Sequence, residues 1–156
     1  MFREMRRHKQ ALTREACEEV LASAQRGVLS VLGDDDYPYG VPLDYVYGDS
    51  RIYFHCARVG HKIDAIRAHD KASFTVLDDG VRNEGEWWLN FRSVICFGRV
   101  RRVSDEQKIM EALHAIADKY FPEDYDAEAD IARNLARVEI LELEVEHMSG
   151  KAVREK

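Results

Sequence analysis

The stretch YFHCARVGHKIDAI brings together side chains whose types and spacing could do chemistry. An apolar run ends in His55 and Cys56. A short segment with Gly60, His61 and Lys62 follows, and a helical pattern begins directly after it. Free backbone N–H groups and the helix dipole make a helix N-terminus favourable for an anion such as a phosphate. The glycine would let the backbone approach that ligand, and the lysine would add a positive charge. The stretch therefore predicts either an anion site or an ordinary solvated loop, since many loops contain glycine and lysine.

The same residues allow two other interpretations. His55, Cys56 and His61 are metal-ligand types, but their spacing matches no zinc pattern and a structural zinc site usually has four ligands. Neither Cys17 nor Cys96 has a neighbouring ligand to complete a set, so we expect no metal. Cys56 could be a nucleophile, although a cysteine at a strand end is more often a small buried hydrophobic residue. The sequence alone assigns no catalytic residue.

Length and composition describe a folded soluble protein. The chain has 156 residues, a size that predicts one domain over 1–156 with a sizeable core. A net charge of −6 argues against nucleic acid as a partner, because nucleic-acid binders usually carry a basic excess. No apolar run approaches the ~20 residues of a membrane span. The 3 cysteines form no close pair, which favours reduced thiols. We therefore expect a cytoplasmic protein with no membrane partner.

Periodic patterns predict helices and strands through the first half of the chain. Thr13 is expected to cap the first helix. Pro42 cannot donate a ladder hydrogen bond, so its strand should lie at a sheet edge or kink there. A glycine-containing turn at 48–50 predicts a hairpin with the next strand. The predicted elements are a helix at 13–25, strands at 27–33, 39–49 and 51–57, a short helix at 61–69 and a strand at 71–79.

The second half continues the same type of architecture. Gly98 interrupts a strand pattern and predicts a bulge, and Ser104 with Gln107 forms a capping-box pattern. Trp87 and Trp88 could cover a ligand, a partner surface or the protein's own barrel. The predicted elements are a loop at 80–92, a strand at 93–104, helices at 104–121 and 127–136 and a strand at 138–146. Several strands and few long helices predict an α+β, mainly β protein, an antiparallel barrel with peripheral helices.

A family resemblance is carried by RGVLSVLGDDDYPYGVPLDYVYGDSRIYFHCARVGHKIDAIRAHDKASFTV and by the later FRSVICFGRV. These segments resemble the pyridoxamine 5′-phosphate oxidase-like flavoproteins, and within them the nitroimidazole-resistance (Nim-type) branch. The most specific parts are YPYGVPLDYVY, IYFHCA with the following GHK, and RSVICFG, and the resemblance spans roughly residues 10–146. Proteins of this family are split β-barrels that bind FMN, normally as homodimers with FMN at the subunit interface. The resemblance thus implies this fold, this cofactor and this assembly.

The resemblance also implies which residues would hold FMN. The flavin ring would be lined, partly through backbone groups, by Val41, Pro42, Leu43, Asp44 and Tyr45. The ribityl-phosphate would be contacted by His55, Cys56, His61 and Lys62, and the cofactor would be framed by Arg92 and Ser93. The sequence lacks the arginine-to-lysine pair that the oxidase carries on the strand matching 41–47, and the oxidase's arginine-rich C-terminal substrate motif. Both departures argue against oxidation of pyridoxamine phosphate itself.

We therefore expect an FMN-dependent oxidoreductase acting on a small molecule, and the branch implies nitro compounds such as 5-nitroimidazoles. One alternative is an oxidase of pyridoxal vitamers. Another is a non-catalytic flavin- or haem-binding protein, in which His55 or His61 would be a haem ligand.

Overall fold

The computed structural model describes residues 1–154 of the chain. The helices are α1 (Arg14–Ser23), α2 (His61–Ala68), α3 (Glu106–Tyr120) and α4 (Ala127–Asn134). The strands are β1 (Gly27–Leu32), β2 (Pro38–Leu43), β3 (Val46–Gly48), β4 (Arg51–Ala57), β5 (Lys71–Leu77), β6 (Phe91–Arg102) and β7 (Val138–Val153). Short 3-10 turns lie at His8–Gln10 and Asp34–Asp36.

The strands form one 7-stranded sheet in the order β2-β1-β5-β6-β7-β4-β3, and every neighbouring pair is antiparallel. The opposite edge strands β2 and β3 are separated in the sequence only by Asp44 and Tyr45. Because three residue steps span at most about 11 Å, the sheet must curl until its two edges approach at this end. Within residues 1–154 the two edges do not pair with each other, so the barrel stays split. This confirms the predicted fold class.

Tyr45 fixes the crossing between the two edges. Its side chain is fully buried, packs edge-on against Phe74 and donates a hydrogen bond to the backbone carbonyl of Leu21 in α1. The Tyr120 hydroxyl at the end of α3 lies 2.9 Å from both the backbone nitrogen and the carbonyl oxygen of Tyr45. The Lys119 ammonium lies 3.9 Å from the centre of the Tyr45 ring. Burial raises the pKa of the Tyr45 hydroxyl and lowers the pKa of Lys119. Two helices therefore hold the crossing segment.

The long strands β6 and β7 form the centre of the sheet. Their register shifts between Phe97 and Gly98, which confirms the bulge predicted there. A Cβ atom at position 98 would overlap the backbone carbonyl of Glu144, so only glycine allows this close approach of the two strands.

Apolar side chains from the concave face of the sheet meet α1 and α2 in the main core. The largest fully buried members are Tyr45, Phe54, Phe74, Leu21, Leu29, Ile52, Leu141 and Leu143. A smaller cluster lies on the other face of the sheet, where Leu113 of α3 and Ile131 of α4 pack with Ile140 of β7. Strand β4 therefore packs against apolar side chains on both of its faces, fully buried on the inner face and partly buried on the outer one.

Several local predictions are confirmed, and others need correction, among them the last strand, which was predicted at 138–146 and extends to Val153 as β7. Pro42 lies in an edge strand, and the Thr13 hydroxyl accepts a hydrogen bond from the backbone of the first turn of α1, at 3.2 Å. The strand predicted at 39–49 divides into β2 and β3, because Tyr45 turns into the core between them. The capping box predicted at Ser104 is wrong. The Asp105 carboxylate caps α3 instead, and its negative charge also favours that helix terminus.

Across residues 1–154, no helix has both the length and the apolar character that a membrane crossing requires.

Removing the Tyr120 hydroxyl tests the clamp on Tyr45. In Tyr120→Phe, the backbone N–H of Tyr45 loses its acceptor, and the carbonyl oxygens of Tyr45 and Gln25 lose the one hydroxyl proton that lies within reach of both. We expect the free energy of unfolding to fall by about 1–3 kcal/mol, the usual cost of a buried polar group left unpaired. Urea denaturation measures this free energy of unfolding. Tyr37→Phe removes a hydroxyl from a side chain that is 73% exposed and is the matched control, with an expected change within about 0.5 kcal/mol. Equal small losses in both variants would contradict the clamp.

Candidate functional site

The mouth of α2 is open to a ligand. Gly60 precedes the helix with φ 125°, a backbone conformation that favours glycine, and its carbonyl accepts from Ile63 and Asp64. Within residues 1–154 no side chain caps α2. A Cβ atom at position 60 would meet no atom within 4 Å, so open space surrounds this point. An uncapped helix terminus beside open space keeps its N–H groups available for an anion.

His61 connects this helix mouth to the start of β2. Its imidazole stacks on the Tyr39 ring with 4.1 Å between ring centres and 22° between ring planes. Its Nε2 atom lies 3.4 Å from the backbone nitrogen of Asp34 and 3.7 Å from the Asp34 carboxylate, which is exposed. The imidazole is therefore held between the turn after β1 and the first residues of β2.

Cys56 and Lys62 lie at the same end of the barrel. Cys56 is half-buried and packs against the main core. Burial raises the pKa of its thiol, and the nearby Lys62 ammonium opposes that shift only in part. The thiol is therefore protonated at neutral pH, which disfavours Cys56 as a nucleophile.

A buried carboxylate beside Cys56, which the sequence pattern did not lead us to expect, forms an ion pair with an exposed arginine. Glu139 faces Cys56 across the β4–β7 pair, is 8% exposed and bonds the Arg102 guanidinium. This carboxylate raises the pKa of Arg102. The signal was present in the pattern of β7, because Glu139 has the same parity as Leu141 and Leu143 and so belongs to the inward face.

The side chains of His55 and Cys56 point to opposite faces of the sheet. Residues of a strand alternate between its faces, and Phe54 and Cys56 point into the main core. His55 points the other way and lines a small cavity beneath α3 and α4. The structure therefore places Cys56 near Lys62 and places His55 apart from both.

The residues predicted to line a flavin ring fall into two groups. Val41 and Leu43 are half-buried against the core, whereas Pro42 is exposed on the outer face of β2. Asp44 pairs with Arg26, with 2.8 Å between Nε and the carboxylate. Tyr45 is enclosed and bonded within the protein, as described above. The exposed part of this segment is therefore the backbone and outer face of β2.

Arg92 and Ser93 directly follow the first residue of β6, at the end of the sheet where β2 finishes. The Arg92 guanidinium lies 2.8 Å from Asp78 and 3.4 Å from Glu19, and these carboxylates raise its pKa. Ser93 lines an outer groove of about 710 Å³ that the N-terminal segment borders. The strand register connects the end of β2 to the start of β6. One cross-strand row runs through Pro42, Val28, Thr75 and Ile95.

Strand β2 therefore joins two chemically different places. His61 lies at Tyr39 near its start, and the row that leads to β6 crosses it at Pro42. A strand rises about 3.3 Å per residue, so Tyr39 and Leu43 are separated by roughly 13 Å.

No group of three or more His, Cys, Asp or Glu side chains among residues 1–154 is arranged to hold a metal ion.

Comparisons with known proteins agree with this architecture. An uncharacterized protein of Rhizobium meliloti (strain 1021) is 30% identical over 105 residues, which are 67% of this chain and 64% of that protein. The match thus spans less than two thirds of that relative.

Two solved structures have the same fold. A candidate 5-nitroimidazole antibiotic resistance protein from Bacteroides thetaiotaomicron has a TM-score of 0.75 and 20% identity, covering 91% of this chain and 86% of that one. A FAD-binding protein from Mesorhizobium loti has a TM-score of 0.70 and 24% identity, covering 93% and 98%. At these identities the likeness shows the fold alone.

The family follows from the sequence model that matches nearly the whole chain. The model for pyridoxamine 5′-phosphate oxidase matches residues 13–152, from the cap of α1 to the end of β7. This chain belongs to the pyridoxamine 5′-phosphate oxidase family.

Proposed function

We propose that the protein binds FMN and is a flavin-dependent oxidoreductase. The observation that carries this proposal is the arrangement of an uncapped helix mouth, with Lys62 in its first turn, at the start of an exposed edge strand. FMN has a dianionic phosphate and a flat ring separated by a ribityl chain. The roughly 13 Å from Tyr39 to Leu43 gives the two parts of such a molecule separate places along β2.

The phosphate belongs at the mouth of α2. Its charge would be met by the Lys62 ammonium and by the free N–H groups of the first helical turn. His61 adds a ring nitrogen beside the same turn. Cys56, as a neutral thiol, adds no negative charge that would repel a phosphate.

The ring belongs against β2. Because β2 is an edge strand, alternate backbone N–H and C=O groups point away from β1 and can pair with the polar edge of a flavin. Pro42 offers a flat apolar surface, and Arg92 and Ser93 border the same end of the sheet. Tyr45 contributes by fixing the end of β2. The bound flavin supplies the redox chemistry.

Reduction of a nitroaromatic compound is the reaction that we favour. It is supported by the shared fold with the candidate 5-nitroimidazole resistance protein and by departures from the oxidase's substrate motif. The assay mixes the protein with FMN, a nicotinamide donor and a 5-nitroimidazole, and follows the loss of absorbance of the nitro compound. FMN-dependent turnover would support the proposal. Tight FMN binding without turnover of nitro compounds would instead indicate a flavin-binding protein or a vitamer oxidase.

We also propose a homodimer that completes the flavin site. Exposed apolar side chains cover the outer face of β1, β5 and β6, namely Val28, Leu77, Ile95 and Phe97. This face is continuous with Pro42 through the cross-strand row. An apolar sheet face of this kind suits a two-fold contact with a second copy of the chain.

Free thiols at Cys17, Cys56 and Cys96 favour a cytoplasmic location for this assembly.

A charge on the outer face should separate the subunits. In Ile95→Glu, dimerisation would bury an unpaired carboxylate, so we expect the variant to sediment as a monomer and to bind FMN more weakly. Ala115→Glu adds the same charge to an exposed position of α3 and should remain dimeric. A wild-type protein that sediments as a stable monomer and still binds FMN tightly would contradict the shared site.

The phosphate contact is tested with two ligands that differ only in that group. Hydrogen bonds to charged groups contribute ~1.5–3 kcal/mol, so Lys62→Ala should weaken FMN binding by roughly 10- to 150-fold. Riboflavin has no phosphate, so its affinity should be nearly unchanged. Fluorescence quenching measures both affinities, and Lys108→Ala on α3 is the matched control. Equal losses for both ligands would assign Lys62 to the ring site or the fold, and no loss for either would exclude the helix mouth as the phosphate site.

A further inference from the structure

The loop between β5 and β6, residues 78–90, presents an aromatic side chain to solvent. Trp87 is 76% exposed. The loop has hydrogen bonds of its own, because the backbones of Val81 and Asn90 pair at 2.7 and 2.9 Å and the Glu86 carboxylate accepts from the Asn90 amide at 3.0 Å. Tryptophan is enriched among the residues that contribute most to protein interfaces, and a preformed loop loses little freedom on binding. Trp87 is therefore a candidate anchor for a partner surface.

A groove on the outer face of the sheet has the apolar floor that such an anchor needs. The N-terminal segment, residues 1–9, lies across β6 and β7, and Phe2 stacks on His147 with 4.6 Å between ring centres and 10° between ring planes. Between this segment and the strands lies the groove of about 710 Å³, which Ile95 and Phe97 line. These two side chains belong to the outer face at which we propose dimerisation.

The loop and the groove of one copy do not fill each other. Among residues 1–154, no member of the loop lines the groove. The loop ends where β6 begins, and the groove reaches Ser93, so both border the same end of the outer face. In a two-fold dimer, any contact between two different surfaces is matched by the reciprocal contact. A contact of the loop with the groove of a second copy would therefore occur twice in each dimer.

The loop and the N-terminal segment carry opposite charges. Residues 1–9 have four basic side chains and one acidic one, whereas residues 78–90 have four acidic ones and one basic one. Arg3 is exposed and lines the groove, and Asp79 and Glu84 are exposed in the loop. Complementary charges favour the approach of a loop to a groove, and like charges disfavour the approach of two loops or of two N-terminal segments.

The groove also suits an indole ring in its chemistry. Met5 on one side and Ile95 and Phe97 on the other offer apolar contacts to the ring. A buried indole N–H needs an acceptor. The Ser149 hydroxyl and the Glu4 carboxylate line the same groove and can each accept that hydrogen bond.

We propose that Trp87 of one copy docks in the groove between the N-terminal segment and β6 and β7 of a second copy, and that the reciprocal contact completes the dimer. This inference rests on the homodimer proposed above. It assigns Trp87 to a partner surface, one of the three roles that the sequence left open, and it gives the basic N-terminal segment a function.

Tryptophan emission reports this contact directly, because the chain has 2 tryptophans and both lie in the loop. In Trp88→Phe, Trp87 is the sole emitter. A tryptophan that leaves water emits at shorter wavelength. We therefore expect the Trp87 emission maximum to move to longer wavelength on dilution, over the concentrations at which sedimentation shows the dimer dissociating. Every sample contains the same concentration of FMN.

Substitutions test the loop side of the contact. Trp87→Ala should weaken dimerisation by about 30-fold or more, the effect of losing an interface anchor. Tyr125→Ala also removes an exposed aromatic side chain, but from the segment before α4, and should dimerise as the wild type does.

A second pair of variants, made in Trp88→Phe, tests the groove side. Met5→Glu places a carboxylate among the apolar groups of the groove, so the Trp87 emission of the remaining dimer should move to longer wavelength. Ala115→Glu adds the same charge to α3 and should leave the emission unchanged. An unchanged emission in Met5→Glu would overturn the assignment to this groove.

The two measurements separate this inference from the homodimer on which it rests. A wild-type dimer whose Trp87 emission does not move on dilution would overturn the docking and leave the homodimer standing. A stable wild-type monomer would overturn both. An emission maximum that moves when FMN is added at constant dimer content would place Trp87 on the ligand and would also overturn the docking.

Discussion

The two residues Asp44 and Tyr45 must carry the chain from one edge of the sheet to the other, and the architecture depends on this constraint. Strands β2 and β3 are the opposite edges of the 7-stranded sheet. A two-residue connection reaches them only if the sheet curls almost into a closed barrel. Tyr45 makes that curvature favourable, because its ring enters the core and its hydroxyl bonds α1. The Tyr120 hydroxyl then satisfies the backbone at the crossing, where no strand can pair it.

This constraint also positions the proposed flavin site. Since β2 stays an edge strand, its outer backbone groups remain free along its whole length. The packing of His61 on Tyr39 then brings the open mouth of α2 to the start of that strand. In the site that we propose, the helix terminus with Lys62 binds the charged end of the ligand and the unpaired edge of β2 binds its flat end. The same curvature leaves the apolar outer face of β1, β5 and β6 exposed, and this is the face at which we propose that a second copy of the chain binds.

Much of the fold was predictable because local patterns and packing agree. Alternating apolar residues predicted the strands, Pro42 predicted an edge, and Gly98 predicted the bulge where β6 meets the backbone of Glu144. The break at Tyr45 was not predictable from alternation. Tyr45 continues the pattern in which every second residue of β2 points inward, although the chain passes at this residue from one edge of the sheet to the other. The cap of α3 was also missed, because Ser104 and Asp105 are both good N-cap residues and only the folded chain selects the aspartate.

The site was predictable only in part. The mouth of α2 and its lysine could be located from a glycine between a strand and a helix. The opposite directions of His55 and Cys56 follow from strand alternation, yet the family resemblance grouped them at one ligand. The pairing of Glu139 with Arg102 and the support of Tyr45 by Tyr120 join residues far apart in the sequence. Such contacts become visible only once the strand order is known.

The most direct test of the central claim is the identity of the small molecule that co-purifies with the protein. The protein would be produced in a flavin-replete host, and its absorption spectrum would be recorded. The mass of the released ligand would be measured by mass spectrometry. The account predicts oxidised-flavin bands that bleach with dithionite, and FMN at about one per chain. A Soret band would indicate haem, and a protein that neither carries flavin nor takes up added FMN would contradict the account.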